Sequence, residues 1–476
     1  MRRVLGVLGV AALFVGGLAG CEVGSTLKRS GAPAVLTGAE LPDLIGAEPG
    51  DIVAFRHSRI DGEPTWTQIP VQVDERKVIA FGHQPGTNAH VGQTGSVYGT
   101  AATGATALQY ADPGTFVGAD GDPTFDADDE LVFMLSDAGG VAPADAGEPA
   151  GVVPGSGVAV RADDPLDGGA SGWVYLFTSP TLDPSAGRDY VTYDFQLVSG
   201  DYKTTYLRAD GPNPETSVVT TDRYRIGFTD RWFETEWRTR NAGGLGPDLL
   251  DGHKNVFAFG VCGRSNATFN DAEGAFVANL DGPVRAIRSY VGANSGPKTQ
   301  RTHFFYRDRE VIRTDLRVHA IPAIADYLDY SASAVGMTYR SSTTAGVTID
   351  GVQDSVSSEI ASWEAVHGTQ GTLLITNRFT TTASGLATTW FHRDQTDPPE
   401  DQCWGDDHYY GASGAHIVGP IANTDPASPP FATLTGSRTI VFLPGTTDAA
   451  AVTAGATAVA DDADHPITLA AAAYTP

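Results

Sequence analysis

Basic side chains are scarce in this sequence. Lysine and arginine number 31 against 57 aspartates and glutamates, a formal net charge of −26. Such a chain repels nucleic acid and anionic membrane surfaces, and no basic block offsets the repulsion. Cysteine is scarcer still, with three in 476 residues. Beyond the first twenty residues no apolar run is long enough to cross a bilayer. The sequence has no dinucleotide glycine fingerprint, no P-loop and no nucleophile elbow, so none of those chemistries has a sequence sign here. Helical periodicity is also hard to find.

The chain opens MRRVLGVLGVAALFVGGLAGCEVGS. Arg2 and Arg3 precede an apolar stretch that ends in Leu18, Ala19, Gly20 and Cys21, the pattern of a secretion signal rather than a structural helix. The small residues before Cys21 resemble the lipobox of bacterial lipoproteins. That resemblance implies a signal peptide over residues 1–20 and a lipidated, palmitate-bearing Cys21. It also implies a tether over 21–44 and an extracytoplasmic protein lipid-anchored to the cell membrane. The alternative is a plain signal peptide with a chance cysteine. With Cys21 lipidated, Cys262 and Cys403 remain. In an oxidising compartment they predict one disulfide, the alternative being two buried free thiols.

What fills the rest is strand after strand. In QIPVQVDERK, Ile69, Val71 and Val73 alternate with Pro70, Gln72 and Asp74, the period of a half-buried strand. Asp61 and Gly62 mark a hairpin turn. From about Tyr190 the runs YVTYDFQLV, YRIGFT, FETEWRTR, RTHFFYRDREVIRTDLRVHAI and GTLLITNRFTTT follow closely, and Ile312, Thr314, Leu316 and Val318 are spaced for one sheet face. The tail reads as strands too, ATLTGSRTIVFLP, AAVTAGATAVA and PITLAAAA. The fold class is therefore all-β. A small N-terminal β domain with an acidic loop (45–185) precedes a large antiparallel β sandwich (186–476).

GADGDPTFDADDELVFM packs Asp120, Asp122, Asp126 and Asp128 closely, with Asp129 and Glu130 behind them. So many carboxylates repel one another, and a divalent cation would offset that. The segment lacks the helix–loop–helix calcium spacing. It predicts a structural, low-affinity calcium loop, the alternative being a solvated acidic turn.

Three polar clusters could carry chemistry. Residues 281–321 concentrate arginines in an acidic molecule, with Arg301, His303 and Phe305 on one strand face and Phe304, Tyr306 and Asp308 on the other. Arg288 and Arg301 could clamp a carboxylate, and His303 or Tyr306 could move a proton. The alternative is arginines paired with aspartates and a histidine filling the core. In FTDRWFETEWRTR, Trp232 and Trp237 could stack on a sugar ring while Glu234 and Glu236, two residues apart, hold hydroxyls or act as a carboxylate pair. DQCWGDDHYYGASGAH places His408 in a rim loop that the disulfide would hold.

GPVRAIRSY, TQRTHFFYRDRE and the aromatic strands around them resemble the β supersandwich of secreted carbohydrate-active proteins, the mutarotase-like and polysaccharide-lyase domains. The resemblance spans roughly residues 190–450. It implies a surface protein acting on a polysaccharide, as a lyase or a glycoside hydrolase. In a lyase, His303 or Tyr306 is the base and Arg288 or Arg301 the neutraliser of a uronate. The competing reading is a non-catalytic envelope lipoprotein that binds glycan or scaffolds other surface proteins. No nucleic-acid partner is expected, and the membrane is reached through the lipid alone. A deep cleft lined by the 281–319 side chains favours the enzyme, and side chains paired with one another favour the binder.

Overall fold

The computed structural model describes residues 24–29, 31–60, 63–80, 106–115, 117–199, 214–257, 274–292, 300–316, 321–397, 408–421 and 434–476. Cys21, Cys262, Cys403, the turn Asp61–Gly62 and Val318 lie outside them. Nearly every regular element is a strand, and every strand pair is antiparallel. The protein is all-β, as its alternating pattern predicts.

The N-terminal unit has a five-stranded sheet over a three-stranded one. Ile52–Ile60 and Glu63–Ile69 pair on either side of the expected hairpin turn. Ile52, Ala54 and Ile69 from the larger sheet meet Leu36, Leu131 and Phe133 from the smaller in one buried cluster. Pro33–Thr37, within the expected tether, is a strand paired with Glu130–Met134. Its alternate residues Ala34 and Leu36 are buried, which is why it folds in. The chain's last strand, Thr468–Ala473, returns to this unit and pairs with Val158–Asp163.

The large unit is a sandwich. One layer is a nine-stranded sheet. The other is made of a five-stranded sheet (Thr192–Leu245) and a four-stranded one whose strands lie between Leu250 and Ile421. Between the layers, Tyr224, Phe228 and Trp237 of the five-stranded sheet and Leu250 and Leu328 of the four-stranded one meet Phe305, Ile312, Leu373, Ile440 and Phe442. The rings of Tyr224 and Phe442 have centroids 4.5 Å apart, and Trp237 meets Phe442 edge-on at 5.5 Å.

AAVTAGATAVA, expected as a strand, is instead part of a helix over Ala449–Asp464. Alanine is the best helix former and weak in strands. The Asp448 carboxylate accepts from the backbone N–H groups of Ala450 and Ala451, both at 3.0 Å, and so caps the first turn. Val452, Ala456, Val459 and Ala460 are buried at helical spacing against Trp363, Ala365, Leu374 and Val441. The small alternating side chains look like a strand in sequence but here form a smooth helix face on the sheet.

The two units are joined by buried charge. The Arg285 guanidinium donates to Asp74 through Nε (2.8 Å) and to Glu130 through Nη2 (2.5 Å). It lies 5.5 Å from the Tyr110 ring centroid and 5.3 Å from that of Phe304. Gln72 reinforces the seam, its Oε1 accepting from the backbone N–H groups of Val284 and Arg285. Removing the guanidinium leaves buried Asp74 with no cationic partner among the described residues, while Glu130 keeps Arg76 at 2.7 Å. We expect Arg285→Ala to lower unfolding stability in urea by about 3–5 kcal/mol. Arg285→Lys, which keeps the charge but not the fork, should recover only part of that. A loss under about 1 kcal/mol would show that the seam does not depend on this pair.

Candidate functional site

The inner face of the nine-stranded sheet carries a polar row. Cross-strand register aligns Arg288, His303, Ile312, Arg438 and Asn377, and the next row aligns Tyr290, Arg301, Thr314, Gly436 and Phe379. Directly opposed residues share a face, so these side chains all enter the space between the layers. Arg288, Arg301 and His303 are each 0% exposed.

Every one of them has a partner. Arg288 grips Glu215 with two nitrogens, at 2.8 and 2.5 Å, and donates to the Tyr193 hydroxyl at 2.9 Å. Its guanidinium sits 4.1 Å from the Phe228 ring centroid. Arg301 donates to the Asn255 side-chain oxygen and to the Thr314 hydroxyl. The His303 ring lies between two groups, with Nδ1 2.7 Å from Glu310 Oε1 and Nε2 2.8 Å from the Tyr290 hydroxyl. Burial, then Arg301 and Arg288, push its pKa well below the usual histidine range, so the ring is neutral. A neutral ring with Nδ1–H directed at Glu310 accepts from Tyr290 at Nε2.

Glu234 stands on the other side of Glu310. Burial raises the pKa of both carboxyls; Glu234 pushes Glu310 further, to well above the carboxylate range, while the hydrogen bond with Glu310 works against the rise at Glu234. Two buried carboxyls in contact hold one proton between them. Glu234, His303 and Glu310 bring ligand-type atoms within 4.8 Å of one another. Arg288 and Arg301 already supply positive charge there, which leaves little attraction for a metal ion.

The row continues past Ile312. His253 Nε2 lies 2.8 Å from Asp326 Oδ1 and 2.7 Å from Arg438 Nη1. Burial, Arg301 and Arg438 push the His253 pKa down to about 3. Arg438 Nε donates to Asn377 Oδ1 at 2.6 Å, and Asn377 donates to Glu364 at 2.8 Å. The arginines of this region are paired off inside the sandwich. No deep cleft admits them among the described residues.

The other sequence candidates are scattered. Tyr306 leaves the row for the seam between the units, where its hydroxyl is 3.4 Å from Arg285 Nη1. Trp232 and Trp237 are fully buried and offer no stacking face to solvent. Glu234 and Glu236 do not share a face, a correction to the spacing argument. A bulge between Gly227 and Phe228 shifts the register across this strand. Glu234 turns inward to accept from the Trp237 indole, and Glu236 turns outward to Arg225 and Arg238. One extra residue in a ladder reverses the alternation. His408 is exposed, with its ring stacked 6.3 Å from Tyr410. The sequence argument missed Glu215, Glu310, Asp326 and Arg438. Glu310 and Arg438 carried a signal, each a charged residue at an inward position of an alternating strand, whereas Glu215 lies outside the named strands and Asp326 in a strand buried on both faces.

In the acidic segment, Asp126, Asp128 and Asp129 hold carboxylate oxygens within 4.8 Å of one another. Asp120 and Asp122 stand apart from that group and bond their own turn, to Gly121 and Thr124. Contact with Asp126 lifts the Asp128 carboxyl to about 6. The turn is clamped to the strand end at Gly38 and Ala39, whose N–H groups donate to the Asp129 and Ala127 carbonyls at 3.0 and 2.9 Å.

One solvent-open cleft, of about 470 Å³, lies at the seam. Gln72, Asp74, Glu75 and Asp281 line it, with Pro49, Pro123, Pro184 and Pro283 as apolar walls. Burial raises the Glu75 carboxyl, and Asp129, Asp120 and Asp122 raise it further. Burial also raises Asp281, whose Oδ1 accepts from the Tyr193 N–H at 2.8 Å.

The neutral histidines set a pH dependence. The His253 pKa is depressed on folding, so its contribution is complete above its unfolded value of 6.5 and is lost as pH falls toward about 3. His303 has the same sign. Glu310 has the opposite sign, because its raised pKa favours the folded state on the acid side. A variant isolates the histidine effect. Between neutral pH and about pH 5, each neutral buried histidine adds at most about 1.4 kcal/mol per pH unit to the slope of stability. His253→Gln should flatten the urea-midpoint profile over that window relative to wild type. An unchanged slope would mean that His253 takes up its proton in the folded state.

No family model matches the chain, and no curated protein matches it. Among solved structures, one that aligns with it is a putative aldose 1-epimerase from Escherichia coli K12. The two share 9% identity over 52% of this chain and 99% of that chain, with a TM-score of 0.24, and no residue role is transferred from it.

Proposed function

We propose that this is an extracytoplasmic, lipid-anchored protein that binds a carbohydrate in the seam cleft and does not cleave it. The single observation that carries the reading is the contrast in access. The chemically capable groups Arg288, Arg301 and His303 are withdrawn from solvent and paired, while Glu75 and Asp281 reach solvent in the open cleft beside its proline rings. Carboxylates accept hydrogen bonds from sugar hydroxyls, and flat apolar walls suit the C–H faces of a pyranose ring. An acidic lining repels a uronate. The ligand class is therefore a neutral or amino sugar polymer, in place of the uronate that the lyase resemblance implies. The lipid anchor rests on the sequence around Cys21. No helix among the described residues is long and apolar enough to cross a membrane.

The enzyme reading keeps one supporting feature, the proton-sharing Glu234–Glu310 pair beside His303 and Tyr290. The test is to pass the soluble chain lacking Cys21 over neutral, amino-sugar and uronate polysaccharides. Retention on the first two is expected, with no new reducing ends and no unsaturated product. Asp281→Asn and Glu75→Gln should each weaken retention by about tenfold. An unsaturated uronate product lost in His303→Ala would establish the lyase reading, and new reducing ends would establish hydrolysis.

The acidic segment is assigned structural calcium, held by Asp126, Asp128 and Asp129, with oxygen-only donors suited to that ion. Millimolar calcium should raise the melting temperature above that in chelator, and Asp126→Asn should abolish the difference. Identical melting in both conditions would leave a solvated acidic turn.

A further inference from the structure

A second cavity, of about 370 Å³, opens in the N-terminal unit and is lined by Arg56, Ser58, Thr67, Ser25 and Ser136 among others. Its chemistry is the reverse of the seam cleft. Arg56 and Ser58 are alternate residues of one strand, and Thr67 is directly opposite Arg56 on the next, so the three share a face. Ala54 and Ile69, one step along that same face, are packed in the core. The face thus turns from apolar to polar at Arg56, where the cavity begins.

Arg56 differs from Arg285, Arg288 and Arg438, each of which pairs with a carboxylate. Its Nε is buried and has no acceptor among the described residues. No carboxylate forms an ion pair with it among those residues. Asp137 acts on Arg56 only at longer range: its Oδ1 accepts from the Tyr190 hydroxyl at 2.7 Å, and its buried Oδ2 has no hydrogen-bond partner among the described residues. Asp137's carboxyl is raised by burial, and Arg56, Arg188 and Arg307 each act against that rise. In a chain of net charge −26, an arginine with no carboxylate at ion-pair distance among the described residues, in a hydroxyl-lined cavity, leaves room for an external anion. Its fork suits an oxyanion, and hydroxyls from three different segments can donate around a tetrahedral centre.

We infer that the Arg56 cavity is a phosphate-binding site. Phosphate has two sources. One is a soluble phosphate compound. The other is the headgroup of an anionic phospholipid, and that source rests on the lipid-anchor reading. Gly24 and Ser25 line the cavity, and the chain from Cys21 to Gly24 extends at most about 10 Å. A lipid on Cys21 would therefore hold the opening at headgroup distance, despite the repulsion between the whole molecule and an anionic surface.

The experiment uses the soluble chain lacking Cys21, so a failure of the anchor reading does not affect it. Inorganic phosphate is titrated by calorimetry against a chloride control of equal ionic strength. Vesicles of phosphatidylglycerol and of phosphatidylcholine are tested by co-sedimentation at physiological ionic strength, where the Debye length is about 8 Å. Arg56→Gln should weaken phosphate binding by about tenfold or more. Thr67→Val, which keeps the charge and the strand, should weaken it by less. Arg56-dependent sedimentation with phosphatidylglycerol alone assigns the lipid source. Phosphate binding without sedimentation assigns the soluble source and overturns the lipid one. Equal behaviour of wild type and Arg56→Gln in every arm, with both variants folded by circular dichroism, overturns the site.

Discussion

Taking a guanidinium out of water costs several kcal/mol even after the protein relaxes around it. The large sandwich accepts that cost repeatedly. Arg288, Arg301 and Arg438 all project from one sheet into the space where a sandwich normally keeps only hydrocarbon. Each is tolerable only because the facing layer supplies the matching group, Glu215, Asn255 and Asp326 respectively. The two layers therefore have one workable register. Sliding one past the other by a residue would leave charges buried and alone, which costs more than any apolar contact regained. The aromatic cluster around Trp237 and Phe442 supplies the driving force, and the ion pairs select the arrangement. Arg285 applies the same rule between the units, with Asp74 and Glu130 as its carboxylates.

This arrangement explains why Arg288, Arg301 and His303, residue types associated with catalysis, have no access to solvent. A histidine between Glu310 and Tyr290 is the kind of group that moves protons when a substrate can reach it. Enclosed at 0% exposure it holds two side chains in place instead. Two of the open cavities among the described residues are of opposite kinds. The seam cleft is acidic and proline-walled, and the Arg56 cavity is cationic and rich in hydroxyls.

Much of the fold was legible because strand alternation is a local property. Ile312 and Thr314 are inward as their spacing predicts, and Arg313 between them is exposed. The concentration of arginines in residues 281–321 is also legible in the sequence. Its meaning depended on partners 46 to 73 residues away, such as Asn255 for Arg301 and Glu215 for Arg288, which no local pattern reveals. Glu234 and Glu236 show a second limit. Counting by twos puts them on one face, and a bulge separates them. The alanine-rich tail shows a third, since small residues satisfy both periods and the Asp448 cap with the sheet behind it settled the helix.

The sequence by itself determined the all-β class, the acidic character and most strand positions. These follow from side-chain period and composition, which need no knowledge of distant residues. Only the tertiary structure decided which charges were neutralised, which histidines were sealed from water and where an open cleft was left. Desolvation and ion pairing depend on distance in space, and the sheet order that sets those distances is fixed by the packing of the whole chain.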